Sequence, residues 1–383
     1  MSNIKRNLSE ILLDGAKYSL SIQQDDGSFP SGHNGPYNDL ETPVRNTSHW
    51  LITLCDVYKS KNSEAIYTAA ENAASYLLSN DARPYSETFY HRKSKDKDKC
   101  NGLIGQAWTI EALAIAANTL RDPNLIDIAQ EVFLKHPFNY EFALWKRVEI
   151  DGNMIGFDYT FNHQLWFAAA GSELAQHGCP EVENQVLRFL DNLGKLFDLA
   201  DLNTVYHLLN LNISPLAINR TIKESDFREL YINNLLNYAR QKSQKEKLRK
   251  KSIGYHSFNL YALGILRENY SNHSCWNLEK IKSVVDCISN TEYKQDVKNN
   301  KYAFSFNPTG IENAYAIEVF SENNKQECLT WVKSQFDRHI TSSQQIMNKN
   351  TTDPATLAAR IYEAVRLPNY SINFEKETTL MQS

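Results

Sequence analysis

Asp158 is the carboxylate best framed for chemistry in this chain, within Gly156-Phe157-Asp158-Tyr159-Thr160-Phe161-Asn162-His163-Gln164-Leu165-Trp166. The rings of Tyr159 and Trp166 can stack on the apolar face of a hydroxyl-rich ligand, while Asn162 and His163 can hydrogen-bond its hydroxyls. A carboxylic acid among aromatics can also have its pKa raised, as a general acid requires. The competing reading is structural, because an Asp just before a helix is a common N-cap.

The same kind of cluster recurs wherever a polar, aromatic loop runs into an Ala/Leu-rich stretch. One covers Gln23-Gln24-Asp25-Asp26-Gly27-Ser28-Phe29-Pro30, Gly32-His33-Asn34-Gly35-Pro36-Tyr37 and Arg45-Asn46-Thr47-Ser48-His49-Trp50. Its Gly and Pro residues dictate turns, and its hydrogen-bonding groups are dense for a plain connector. A second, Asn101 to Glu111, places Gly105, Trp108 and Glu111 at i, i+3 and i+6 on one side of a helix. Trp108 is a stacking platform or a core residue, and Glu111, deeper in the helix, reads as a buried, paired carboxylate. Further clusters hold Tyr255 and His256, then Glu312, where a negative charge suits a helix N-terminus. Asp353-Pro354 is a helix start signal, and Arg360, one turn on, reads as a partner for a buried carboxylate.

Several chemistries lack their signatures. There is no G-x-S-x-G, P-loop, H-E-x-x-H or G-x-G-x-x-G. His33, His49, His163 and His256 have no metal-ligand spacing, so neither a metal nor a cofactor is expected. A net charge of −4 argues against nucleic-acid binding. The basic runs Arg92 to Lys99 and Lys242 to Lys251 read as solvated loops or helix ends, with recognition of an anionic glycan as the alternative. Six scattered cysteines without C-x-x-C fit reduced thiols. No apolar run is long enough for a membrane span, and Lys5 and Arg6 are not followed by a signal-type apolar stretch. A cytoplasmic protein without membrane insertion is expected; the oligomeric state is left open.

Elements able to position these clusters follow from hydrophobic periodicity. One kind of helix is amphipathic: Leu8, Leu12, Ala16 and Leu20 share a face, as do Ile66, Ala70, Ala73 and Leu77. Similar segments lie near 124–134, 180–197, 226–240, 278–289 and 325–336. The other kind is apolar nearly all round, as in Ala112 to Ala117 and Trp166 to Ala170, which requires neighbours on every side. These inner helices are expected to start near 47, 103, 160, 256, 311 and 355, with a short extra one near 204–211. Outer and inner helices alternate every 45 to 60 residues, in the manner of a helical-hairpin array. Closure into a ring buries the inner helices without polar capping repeats. The 383 residues, with no Gly/Pro/Ser-rich linker, therefore predict an all-α fold of one domain, an (α/α) toroid of six hairpins or seven. Short β excursions are expected at 145–154 and 302–306.

With the helix starts gathered at one mouth, the chain resembles the six-hairpin glycosidase superfamily. Its toroids include unsaturated glucuronyl hydrolases, N-acylglucosamine 2-epimerases, uronate C5-epimerases and polysaccharide lyases. The stretches Gln24 to Pro30, Gly32 to Tyr37, Pro43 to Trp50 and Asn162 to Phe167 resemble more narrowly a branch of surface-glycan clusters, with archaeal relatives linked to hexuronic acid processing in N-glycosylation. The resemblance implies a uronic-acid-containing saccharide or glycan as substrate but leaves the reaction open. Hydrolysis would use Asp158 as acid or base, with Asp26 or Glu111 as the second group. Epimerisation or elimination would neutralise a uronate carboxylate with Arg45 and Asn46, while His49, His163 or Tyr159 moves the proton. Hydrolysis is favoured by the framing of Asp158, and the missing secretion signal points to a biosynthetic role. A glycan-binding toroid without catalysis is the third reading. The expected catalytic set is Asp158, Asp26, His163 and His49; the expected binding set is Arg45, Asn46, Trp50, Tyr37, Trp108, Glu111, Tyr159, Asn162, Trp166, Tyr255 and His256.

Overall fold

A computed structural model describes residues 4–209, 211, 224–321, 324–340 and 346–374. The chain enters through β1 (Ile4–Asn7) and then alternates outer and inner helices: α1 (Leu8–Ile22) and α2 (Val44–Lys61), α3 (Glu64–Leu77) and α4 (Gly102–Leu120), α5 (Asn124–Lys135) and α6 (Phe161–Ala175). Between α5 and α6 lies an antiparallel sheet of β2 (Phe138–Asn139), β3 (Leu144–Val148) and β4 (Met154–Phe157). The second half runs through α7 (Pro180–Leu196), α8 (Ser225–Ser243), α9 (Lys245–Gly254), α10 (His256–Asn269), α11 (Glu279–Asp286), α12 (Thr291–Lys298), α13 (Thr309–Phe320), α14 (Lys325–His339) and α15 (Pro354–Ala359). A 3-10 segment, Arg360–Arg366, continues α15, and β5 (Ser371–Phe374) follows.

Burial separates the two helix kinds as periodicity requires. On α1 only Leu8, Ile11, Leu12, Gly15, Ala16 and Ser19 are buried, whereas α4 is buried continuously from Gly102 to Ala114. The inner helices pack in the order α2, α4, α6, α10, α13 and the 354–366 segment, which packs back on α2 and closes the ring. Their starts lie within three residues of the expected ones. At the seam, β1 pairs antiparallel with β5, Ile4 opposite Phe374 and Asn7 opposite Ser371.

Two local expectations are corrected. Residues 204–209 form no helix, because they pair as extended backbone: Val205 bridges Leu199, Leu208 bridges Thr160, and the Leu209 amide donates to the Tyr159 carbonyl. The described residues thus carry six hairpins around the ring, without a seventh. Residues 302–306 form consecutive turns rather than a strand, since the Asn300 and Asn307 side chains take the amide and carbonyl of Tyr302. The excursion at 145–154 does contain β3 and the start of β4, with Lys146 opposite Phe157. All six cysteines are buried and unpaired. No helix among the described residues is long and apolar enough to cross a membrane.

Candidate active site

The loops entering the inner helices meet around a cavity of about 190 Å³, less than the ~300–1,000 Å³ of drug-sized ligand sites. Asn34, Tyr37 and Asp39 come from the loop before α2, and Arg45 from its first turn. Arg92, Lys97 and Asn101 come from the loop before α4, and Ile104 and Trp108 from α4 itself. Thr160, Asn162 and His163 open α6, His207 follows α7, Lys251 ends α9, Tyr255 and Phe258 open α10, and Phe306, Asn307 and Arg360 complete the wall.

Among the lining groups, His163 is held by a carboxylate. Its Nδ1 donates to Oδ2 of Asp158 at 2.8 Å, leaving Nε2 to meet a ligand. Asp158 also accepts from the amides of Leu103, in the first turn of α4, and Thr160. It therefore caps a neighbouring helix, while Thr160 is the N-cap of α6. Burial alone would raise its pKa, but His163, Arg147 and the Leu103 amide outweigh it and hold the carboxyl down to about 2. Asp158 is thus an anion behind His163, not the raised carboxylic acid the sequence suggests. Gly102 makes this approach possible: its φ is +60° and an added Cβ would stand 2.5 Å from Oδ2 of Asp158.

Two buried guanidinium groups form the base. Arg45 stacks over Trp108, 4.1 Å from the ring centroid, and its Nη1 donates to Glu41 at 3.1 Å and to Asn34. Its Nε and Nη2 are buried without a hydrogen-bond partner. Arg360 bonds Glu363, Glu312 and Asn307. Ser257 donates to the other oxygen of Glu312 at 2.6 Å. Glu312 is thus part of a buried ion cluster rather than a dipole partner alone, and Arg360 both pairs with buried carboxylates and lines the cavity. Among the described lining side chains, five are cations (Arg45, Arg92, Lys97, Lys251, Arg360) and one, Asp39, is a carboxylate. Arg92 and Lys251 come from the basic runs read mainly as solvated, as does Lys97.

On the opposite wall the Tyr37 and Tyr255 hydroxyls meet at 2.9 Å. Lys251 Nζ donates to Nε2 of His207 at 3.3 Å. Burial, then Lys251, push His207 far below the usual imidazole range, so it is neutral.

Of the expected residues, Arg45, Tyr37, Trp108, Asn162, His163 and Tyr255 line the cavity and Asp158 supports it. The others lie elsewhere. Asp26 is exposed on the outer rim, its carboxylate accepting from the Ser28 amide. Asn46 is turned to the Pro30 carbonyl. His49 is stacked on Tyr362 and edge-on to Trp108, one layer below the wall, and burial, then Arg45, keep it neutral. Trp50 packs against Tyr18 and Phe29 on the α1 side. Glu111 pairs with Arg366 at 3.0 Å, and burial lifts its pKa to about 7. Tyr159 donates to Glu229 on α8. Trp166 is a core residue stacked on Phe258 and Tyr261. His256 bonds the Val205 amide and the Val284 carbonyl, away from the cavity. Asn34, Asp39, Asn101, Thr160, His207, Phe306 and Asn307 line the cavity without a sequence signal of their own, beyond membership of the loops before inner helices. Among the described residues no three His, Cys, Asp or Glu side chains converge as metal ligands would.

No protein-family model matches the chain. It is 42% identical over 366 residues to archaeal glycosylation protein Q of Haloferax volcanii, covering 96% of this chain and 99% of that protein. Among solved structures it is similar to a D-mannose isomerase (TM-score 0.65, 13% identity, 94% of this chain and 96% of that one). A cellobiose 2-epimerase from Bacillus thermoamylovorans matches at TM-score 0.63 and 14% identity, over 94% and 98%. An unsaturated glucuronyl hydrolase specific for heparin matches at 0.56 and 9%, over 94% and 95%. At such identities the likeness establishes the fold, an (α/α)6 toroid.

Proposed function

We propose a function that starts from one fact: the chain belongs to the family of archaeal glycosylation protein Q. It is a glycan-processing enzyme that moves a proton on a uronic-acid sugar, as an epimerase or isomerase. The observation that carries this reading is the His163–Asp158 pair set in a cavity with five cations and one carboxylate. A uronate carboxylate placed against the unpaired donors of Arg45 and against Arg360 has its charge offset, which makes the neighbouring C–H acidic. Nε2 of His163 takes that proton, the C–H electron pair moves into the carboxyl group, and the anionic Asp158 stabilises the imidazolium formed. The Tyr37 and Tyr255 hydroxyls offer exchangeable protons in the same space.

Hydrolysis has less support. It calls for two carboxyl groups about 5–9.5 Å apart across the bond, whereas Asp39 is the single lining carboxylate among the described residues, paired to Lys97, and Asp158 is held ionised. The test is incubation of a purified hexuronate in deuterated water. The reading expects deuterium on the carbon next to the carboxylate and a fall of about 10²–10⁴ in exchange for His163→Asn. New reducing ends without deuterium uptake would instead establish hydrolysis, and neither change in any uronide would leave a binding protein.

A further inference from the structure

We propose that Lys97 and Lys251, whose ammonium groups both approach the Tyr37 ring, form a second anion subsite in the cavity, so that the substrate carries two negative groups. One is the uronate carboxylate at Arg45 and Arg360, and this part rests on the function proposed above. The other is a phosphate ester or a second uronate, held between the two ammonium groups.

The geometry comes from two loops and a helix end far apart in sequence. Nζ of Lys97 lies 5.8 Å and Nζ of Lys251 5.5 Å from the centre of the Tyr37 ring. Asp39 pairs with Lys97 at 2.5 Å, while Arg92, 3.9 Å from Asp39, is held by Asp98 at 2.6 Å. Lys251 makes no ion pair with a carboxylate among the described residues; its hydrogen bond is to the neutral ring of His207. The charges that act on it are Lys247, Lys301 and Lys97, all positive. Gathering ammonium groups around a half-buried lysine is unfavourable for the free protein and becomes favourable when an anion joins them. Both lysines line the same cavity as His163.

The experiment has two readouts. The first compares deuterium exchange on a free hexuronate, a hexuronate 1-phosphate and a dihexuronate by wild type and by Lys97→Gln/Lys251→Gln. The proposal expects at least a tenfold higher kcat/KM for one dianion over the free sugar, and a ratio near one in the double variant. The better dianion identifies the second group. Equal kcat/KM for all three substrates in wild type overturns the proposal. The second readout needs no turnover: pyrophosphate should raise the Tm of wild type and of His163→Asn, but not that of the double variant. A Tm rise without exchange on any uronate keeps the subsite and rejects the proton-transfer reading. A Tm rise of the same size in the double variant rejects the subsite. Lys97→Arg/Lys251→Arg, which keeps the charges, should restore both responses and so separates charge from folding.

Discussion

At the residue scale the site is governed by which of two opposed effects wins on each ionisable group. Burial would protonate Asp158, but an imidazole at 2.8 Å, Arg147 and a helix-start amide keep it ionised to about pH 2. Burial discharges His49 and His207, and a nearby cation, Arg45 and Lys251 respectively, adds to the effect. Lys251 is a cavity-lining group whose charge changes in an accessible range: burial first, then the lysines around it, bring its ammonium down to about 8. It is positive below that pH and neutral above it, so attraction for an anion must weaken as pH rises through 8. KM for the preferred dianionic substrate should therefore climb several-fold between pH 7 and 9 in wild type. Lys251→Arg, charged throughout, should show a flat KM over that interval; an equal climb in the variant would assign the effect to another group.

At the element scale, the geometry of the proposed site depends on how one inner helix begins. Asn101 and Gly102 both have positive φ, which turns the loop sharply into α4 and presents the Leu103 amide to Asp158. The neighbouring α6 supplies His163 one turn after its Thr160 cap. Two helix starts are thereby joined through one carboxylate, and the space between them holds no Cβ at position 102. Gly102→Ala should cost about 1–3 kcal/mol in urea unfolding, from left-handed strain and the displaced carboxylate. It should lower deuterium exchange by at least tenfold at the same time. A stable variant with full exchange would show that the Asp158–His163 contact is dispensable.

At the scale of the whole molecule, the mouth exists because the ring closes. The 354–366 segment packs on both α13 and α2, and the seam is fastened outside by β1 and β5, with the Leu8 amide donating to the Tyr370 carbonyl at 2.8 Å. Arg360 thus reaches the cavity from near one end of the chain while Arg45 reaches it from near the other. Ile372 is 2% exposed at this seam. Ile372→Ala should cost about 2–4 kcal/mol, as for a buried isoleucine elsewhere, and should weaken exchange although it lies outside the cavity. A loss below about 1 kcal/mol would mean that the strand pair does not hold the ring.

The alternation of all-round apolar and amphipathic helices was legible in the sequence, because a helix covered on every side and a helix with one wet face have different patterns. The six inner helix starts, and the gathering of polar loops at them, follow from that alternation. Arg45, Tyr37, Trp108, Asn162, His163 and Tyr255 were found through it. What the pattern could not contain was direction: a helix that is apolar all round gives no periodic signal for the side facing the axis. Hence Trp108 lines the cavity while Trp50 and Trp166 serve the core, and Tyr255 lines it while its neighbour His256 points away. Lys251, in a run that reads as solvent-facing charge, reaches the mouth only because α9 is laid beside it. The charge of the cavity was likewise set by tertiary structure. A net charge of −4 is a sum over the whole chain, whereas the local field depends on which cations keep a carboxylate partner once the loops converge.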